Sequence, residues 1–289
     1  MKESQSKKNQ SVVTKAIISL GVVLATTFFT FFLIGKWHSI PAKGVANESS
    51  KQVNTQQQEK KKEIPPAKQK KETPPAKQKR PDGKPVGKVV YLTFDDGPNE
   101  LTGKFLDVLK EQNVASTFFM QGSNLQNTAF QENVKRAVKE GHYIGAHSMT
   151  HNSDKLYKKG QFVPEMKETL ALIHNITGTT PKLVRPPYGS APGLKGDEIR
   201  NQIVEAAIKV WDWTIDSNDW KLKDNPTQII ENVKKQTTEE VEVVLMHEKA
   251  QTLQALPEII KFYKEQGYEF GVYNDEDHFR LNFQKDQRL

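Results

Sequence analysis

Hydrophobic positions fall along this chain in three regimes. Residues 16–35 are an unbroken, uncharged run rich in Val, Ile, Leu and Phe. Residues 47–85 are almost bare of aromatic and β-branched side chains and rich in Lys, Gln, Glu and Pro. From residue 88 onward, short apolar runs alternate with stretches of helical period. The runs predict strands at 89–94, 115–119, 142–146, 182–185, 208–214, 241–246 and 268–272. The periodic stretches predict helices at 101–112, 130–140, 164–176, 227–236 and 253–266. In the first of these, Phe105, Leu106, Val108 and Leu109 share one face. Alternation of this kind implies βαβ units and a parallel α/β sheet. About seven units in about 200 residues suit a closed or partly closed β/α barrel, with an open doubly wound sheet as the alternative.

The first regime is long enough to cross a bilayer, since about 20 residues at helical rise span the hydrocarbon core. Lys2, Lys7, Lys8 and Lys15 precede it, and Lys36 and Trp37 close it. The reading is an uncleaved signal anchor with a cytoplasmic N-terminus, a single pass through the cell membrane, and everything after it extracytoplasmic. A cleaved signal peptide is the competing reading. Its only small-x-small site, Gly44-Val45-Ala46, lies far from the apolar core. The second regime repeats Pro65-Pro66-Ala67-Lys68-Gln69-Lys70 as Pro74-Pro75-Ala76-Lys77-Gln78-Lys79. It buries too little surface to fold and reads as an extended linker. The expected layout is therefore a cytoplasmic N-terminus (1–15), a transmembrane anchor (16–35), a basic Pro/Lys/Gln-rich linker (36–87), a folded domain (88–275) and a C-terminal tail (276–289).

The net charge of +7 belongs to the N-terminal part and not to the fold. Residues 1–88 carry 18 Lys and Arg against 6 Asp and Glu, leaving 24 against 29 for the remainder, a net of −5. A nucleic-acid binder would keep its basic patch on the fold, so that class is excluded. The basic linker is suited to contact with an anionic wall polymer. There is no cysteine, so a bound metal would have to be held by His and carboxylate.

Chemistry-bearing residues recur where the predicted strands end. The first strand stops at Asp95-Asp96, followed by Gly97-Pro98. The third leads into His147-Ser148-Met149-Thr150-His151. Two His four apart meet on one face if the segment makes a helical turn. With a carboxylate as third ligand they can bind one transition ion and leave a position open, as catalytic sites require. The fourth strand ends in Arg185-Pro186-Pro187-Tyr188-Gly189, where Tyr188 carries the first free N–H after two prolines and could face an oxyanion. The fifth ends in Trp213-Thr214-Ile215-Asp216-Ser217-Asn218-Asp219-Trp220 and the sixth at His247. Barrel enzymes put their chemistry on this C-terminal face of the sheet.

Thr93-Phe94-Asp95-Asp96-Gly97, the His147–His151 segment, Arg185–Gly189, Asp216-Ser217-Asn218-Asp219-Trp220 and Leu245-Met246-His247 resemble, in order, the five motifs of the polysaccharide deacetylases (the NodB-like carbohydrate esterases). The resemblance spans about residues 88–273 and implies a distorted (β/α)7-type barrel. It further implies that Asp95 is the catalytic base, oriented by Arg185, and that His247 is the general acid, partnered by Asp219. Asp96, His147 and His151 match the metal ligands. Tyr188, with Pro187 before it, Trp220 and Leu245 match the substrate-binding set: Tyr188 through its backbone N–H, Trp220 and Leu245 as walls of the acetyl pocket. One departure is Glu248, which stands where an Asp often follows the last histidine. Tyr188, where members acting on muramic acid often carry Arg, points to N-acetylglucosamine.

The expected enzyme is thus a metal-dependent polysaccharide N-deacetylase acting on peptidoglycan, monomeric, with an acetylated glycan as its substrate. Ligand type points to one divalent ion, zinc, although cobalt, manganese and nickel suit the same residues. O-acetyl esterase or chitooligosaccharide deacetylase activity would use the same groups. An inactive wall-binding module would have lost one of Asp95, Asp96, His147, His151 or His247, and none is lost. A non-haem iron oxygenase would leave Asp95, Arg185 and His247 without roles.

Overall fold

A computed structural model describes residues 79–289. The expected cytoplasmic segment, the anchor and the linker as far as residue 78 lie outside the described residues. Eight parallel strands carry the fold: β1 Val89–Asp95, β2 Thr117–Met120, β3 Tyr143–Ala146, β4 Leu183–Val184, β5 Lys209–Val210, β6 Ile215–Asp216, β7 Val241–His247 and β8 Glu269–Gly271. Seven of them run in the order β5-β4-β3-β2-β1-β7-β6. β7 pairs along the whole of β1, and β1's other edge is shared, with β8 on Val89–Tyr91 and β2 on Thr93–Asp95.

This connectivity curls the sheet. β5 and β6 lie at opposite ends of the strand order, yet only residues 211–214 separate them. A flat sheet of seven strands would hold its edges roughly 29 Å apart. Five Cα steps reach at most about 18 Å, so the edges must turn toward each other. The sequence had predicted a single strand over 208–214. Its two ends instead join different edges: Trp211 still donates its N–H to Val184 O of β4 at 3.1 Å, but neither it nor Asp212 pairs with β7. They meet the C-terminal segment, through a Trp211–Leu281 bridge and an Asp212 N–H donated to Leu281 O at 2.7 Å.

Alternation along the strands divides the core in two. Leu92, Phe94, Phe118, Val244 and Met246 face outward into the layer of helices, whereas Tyr91, Phe119, Val241 and Val243 face inward with Trp211, Tyr273 and Phe279. The inner column Tyr91, Thr93, Asp95 and its neighbour Val241, Val243, Leu245, His247 therefore rise from an aromatic floor to a polar mouth. The helices are α1 Thr102–Glu111, α2 Gly122–Leu125, α3 Thr128–Lys139, α4 Phe162–Thr177, α5 Ser190–Gly193, α6 Asp197–Glu205, α7 Pro226–Gln236 and α8 Ala250–Glu265. In α1, Phe105, Leu106 and Leu109 are fully buried, each contributing about 1.5–3 kcal/mol. Asn225 caps α7 by accepting the Gln228 N–H, and Pro226 supplies the first turn.

Two boundaries move. Residues 79–87, assigned to the linker, already form a turn (Arg80 N–H to Lys84 O, 2.8 Å), with Arg80 paired to Glu240 and Lys79 to Asp277 at 2.7 Å. The chain thus enters at the N-terminal end of β1, the end away from Asp95. The predicted tail, 276–289, is part of the fold: Phe279 and Leu289 are buried, and Arg200 pairs with Asp286 at 2.9 Å. Among the described residues, no helix is long and apolar enough to cross a membrane.

Candidate active site

Asp95 ends β1 on the inward face and is 2% exposed. Arg185, fully buried just after β4, donates from Nη1 to Asp95 Oδ1 at 2.9 Å and to Thr93 Oγ1 at 2.7 Å. Its remaining donors go to the Trp211 and Asp212 carbonyls, at 3.3 and 2.8 Å, and the guanidinium lies 4.1 Å from the Phe119 ring centroid. Every branch of the guanidinium is thereby fixed, as a buried charge requires.

Asp96 leaves the strand in a left-handed conformation, φ 70°, so its carboxylate does not follow Asp95 inward. Asn124 donates to its carbonyl at 2.8 Å. The turn that follows has room for glycine alone: a Cβ on Gly97 would come within 1.8 Å of Glu248 Oε1. Asp96 Oδ1 lies 3.7 Å from the Nε2 atoms of both His147 and His151. Burial alone would raise the Asp96 carboxyl, but His147, His247, His151 and Lys249 hold it below its ordinary value.

The two His do not converge through a helical turn, as their spacing suggested. Residues 147–151 form a loop in which Ser148 (φ 61°) and His151 (φ 52°) are left-handed. Glu165 on α4, 8% exposed, holds it by accepting the N–H groups of Met149 (3.1 Å) and Thr150 (2.9 Å). The Ser148 hydroxyl oxygen accepts the His151 N–H at 2.9 Å. His147 Nδ1 lies 2.8 Å from the Arg185 carbonyl. This assigns the proton to Nδ1 and leaves the Nε2 lone pair facing Asp96.

The ligand atoms of Asp96, His147 and His151 all lie within 4.8 Å of one another. Ligands about 2.0–2.2 Å from a tetrahedral ion stand roughly 3.3 Å apart, so a small inward shift completes a site. Two neutral imidazoles and a carboxylate are a donor set suited to a divalent transition ion, and three protein ligands leave a position open. The residues present fit a metal.

His247, at the end of β7, is held by Asp219, which is fully buried in the loop after β6. Asp219 Oδ1 lies 2.7 Å from His247 Nδ1. Its Oδ2 accepts the His247 N–H at 2.6 Å and the Thr252 hydroxyl at 2.5 Å. Burial would lower the His247 pKa, yet the Asp219 hydrogen bond and charge, with Asp95 and Asp96 nearby, raise it above its ordinary value. Glu248, beside it, accepts from the Thr102 hydroxyl, and burial pushes its carboxyl up to about 8.

Tyr188 is left-handed (φ 66°) and 59% exposed; its ring packs 4.7 Å from His151, and its hydroxyl donates to the His151 carbonyl at 3.0 Å. Among the described residues, no acceptor takes the Tyr188 N–H. Pro187 is buried, its carbonyl accepting the Tyr157 hydroxyl at 2.7 Å. Leu245 is buried two residues below His247 on the inner face. Trp220 is 55% exposed, with Lys221 Nζ 5.1 Å from its ring centroid. All the predicted residues except Trp220 are thus tied by strand register or hydrogen bonds to one end of the sheet. Sequence reasoning missed Glu165, Thr252 and Asp212.

Residues 82–211 match the sequence profile of the family described as polysaccharide deacetylase. The chain is 51% identical over 208 residues to a peptidoglycan-N-acetylglucosamine deacetylase of Bacillus cereus, covering 70% of this chain and 75% of that one. It is 36% identical over 187 residues to the peptidoglycan-N-acetylmuramic acid deacetylase PdaC of Bacillus subtilis, covering 64% of this chain and 38% of the relative. Among solved structures, the polysaccharide deacetylase Bc1974 of Bacillus cereus superposes with a TM-score of 0.68 at 50% identity, covering 70% of this chain and all of that one.

Proposed function

Because the chain belongs to the polysaccharide deacetylase family, we propose that it removes N-acetyl groups from the N-acetylglucosamine residues of peptidoglycan. The observation that carries this reading is the convergence of two pairs and a triad at one end of the sheet: Asp95 with Arg185, Asp219 with His247, and Asp96 with His147 and His151. The relative with 51% identity is named for that substrate, and Tyr188 favours the same sugar.

Asp96, His147 and His151 would hold a divalent ion, which would supply Lewis-acid chemistry and make bound water more acidic. Zinc suits these ligands, as do cobalt, manganese and nickel. Asp95 accepts the proton of the attacking water, and Arg185 keeps that carboxylate aimed. The Tyr188 N–H donates to the acetyl oxygen as negative charge develops on it. An amine leaves an amide carbon only when protonated, and His247, kept as imidazolium by Asp219, supplies that proton. Leu245 and Trp220 wall the acetyl group, and Pro187 and Tyr188 complete the substrate-binding set.

In the same reading the enzyme is a monomer held at the outer face of the cell membrane by residues 16–35, with the basic linker beyond it touching anionic wall polymer. The uncharged run and the lysines before it support this. Protease added to intact cells should strip the folded part and leave the anchor with the membranes; cytosolic protein would overturn it. For the activity, full-length protein is incubated with peptidoglycan, chitooligosaccharide and O-acetylated xylan, with and without chelator. Mass spectrometry should find chelator-sensitive acetyl loss, greatest from N-acetylglucosamine of peptidoglycan. Loss confined to O-acetyl groups would overturn the reading.

A further inference from the structure

The turn that carries Tyr188 is unusual in how it is held. Residues 186–189 lie between Arg185 and Ser190, and both of those residues are fastened to Asp212. The Asp212 carbonyl accepts from Arg185 Nη2 at 2.8 Å. Its carboxylate accepts the Ser190 N–H on Oδ1 at 2.8 Å and the Ser190 hydroxyl on Oδ2 at 2.5 Å. One fully buried residue therefore grips the turn at both ends.

The same carboxylate grips the end of the chain. Asp212 Oδ2 accepts the Phe283 N–H at 2.6 Å, and the Asp212 N–H goes to Leu281 O at 2.7 Å. Gln284 Nε2 donates to the Ser190 carbonyl at 2.8 Å. The Phe283 ring stands edge-on to Trp213, with centroids 5.0 Å apart, and the two rings close on Gly189 (φ 82°), where a Cβ would meet each at 3.1 Å. Burial pushes the Asp212 carboxyl above its ordinary value, and the Ser190 and Phe283 donors, with Arg185, oppose that rise.

A non-glycine residue in the left-handed region persists only where its surroundings over-determine it. Tyr188 at φ 66° is such a residue, and the Gly189 N–H to Pro186 O bond at 2.9 Å closes the turn without constraining its direction relative to the barrel. That direction comes from the anchors of Arg185 and Ser190. We propose that Asp212, with the C-terminal segment 279–284 seated on it, is the positioning residue that aims the Tyr188 N–H at the reacting carbonyl. It touches no reacting atom. The role rests on the deacetylase reading above and assigns a function to the end of the chain, which otherwise only fills the seam between β5 and β6.

Donors meant for charge development must be fixed before the reaction, so loosening this anchor should act on the transition state rather than on binding. In Asp212→Asn an amide NH2 replaces one accepting oxygen and faces donors. In Phe283→Ala, at a position 43% exposed, the ring beneath Gly189 is lost while the core is spared. For both full-length variants we expect kcat on an N-acetylated glycan to fall by roughly 10–100-fold, less than the loss of an oxyanion donor outright. KM should stay within about threefold and metal content should stay at the parent's. An activated acetyl ester should lose as much as the amide, because both pass through an oxyanion, and Phe283→Leu should recover most of the rate. The proposal is overturned if both folded variants keep parental kcat, if the loss falls on KM, or if it tracks a loss of metal. Should Asp212→Asn fail to fold, Phe283→Ala decides alone. A parent protein with no deacetylase activity would instead sink the functional reading.

Discussion

Asp219 holds His247 by two separate contacts, one oxygen 2.7 Å from the ring Nδ1 and the other accepting the backbone N–H at 2.6 Å. The ring can therefore neither rotate nor lose its proton easily, and its raised pKa follows from that carboxylate working against burial. A general acid is competent while protonated, so activity should fall as pH rises through the raised His247 value. Asp219→Asn removes the carboxylate and should move this alkaline limb to lower pH. His247→Ala should keep its metal yet lose roughly 10²–10⁴ in rate on amides, and much less on an ester with a good leaving group. Equal losses on both substrates would remove His247 from this role.

The neighbouring aspartates should separate cleanly. Asp95→Asn keeps the ligand set intact and removes the proton acceptor, so metal should bind as in the parent while the rate falls roughly 10²–10⁴-fold. Asp96→Asn removes a charged ligand, so metal should bind more weakly and excess metal should restore part of the activity. Metal titration of both variants checks this; rescue of Asp95→Asn by metal would reverse the two roles.

Glu165 offers a test at one remove from the ligands. Its carboxylate fixes the Met149 and Thr150 N–H groups between the two His. Glu165→Gln places an NH2 among those donors and should weaken metal affinity by roughly 10–100-fold, as is usual for groups that orient ligands. Competition with a chromogenic chelator measures it. Unchanged affinity with impaired turnover would mean that the loop is held by other contacts.

Acid should destabilise the fold through His142. It is 6% exposed, accepts the Ser116 N–H at 3.0 Å, and burial lowers its pKa to about 4. The unfolded chain takes up this proton near pH 6.5, the folded one only near 4. The contribution is complete above 6.5 and is lost as pH falls from there through 4. Between pH 7 and 5 the loss is roughly 2 kcal/mol. His142→Asn keeps an acceptor for Ser116 and cannot titrate, so urea unfolding at the two pH values should show a shallower dependence. Identical slopes would place the acid sensitivity elsewhere.

Strand positions were legible because a strand buried on both faces must be a short apolar run, and β1 and β7 are such runs. The break inside 208–214 was not legible. Its residues are as apolar and aromatic as a strand's, and only Asp212 hinted that the run changes partners. The site's ligands could be read because each motif stands at a strand end. Their supports could not: Glu165 shares its amphipathic helix with Glu168, and nothing local marks which of the two is turned inward. The C-terminal segment did carry a signal, the alternation of Phe279, Leu281 and Phe283, but so short a strand-like pattern says nothing of where it docks.

The chain enters the barrel at the start of β1, and Asp95 stands at the other end of that strand, about 20 Å further on. Entry point and mouth are thus opposite ends of one strand, and nothing in the active site touches the place where the chain joins the domain. If residues 16–35 anchor the protein as proposed, a change in the number of residues ahead of 79 should leave every distance in the active site untouched.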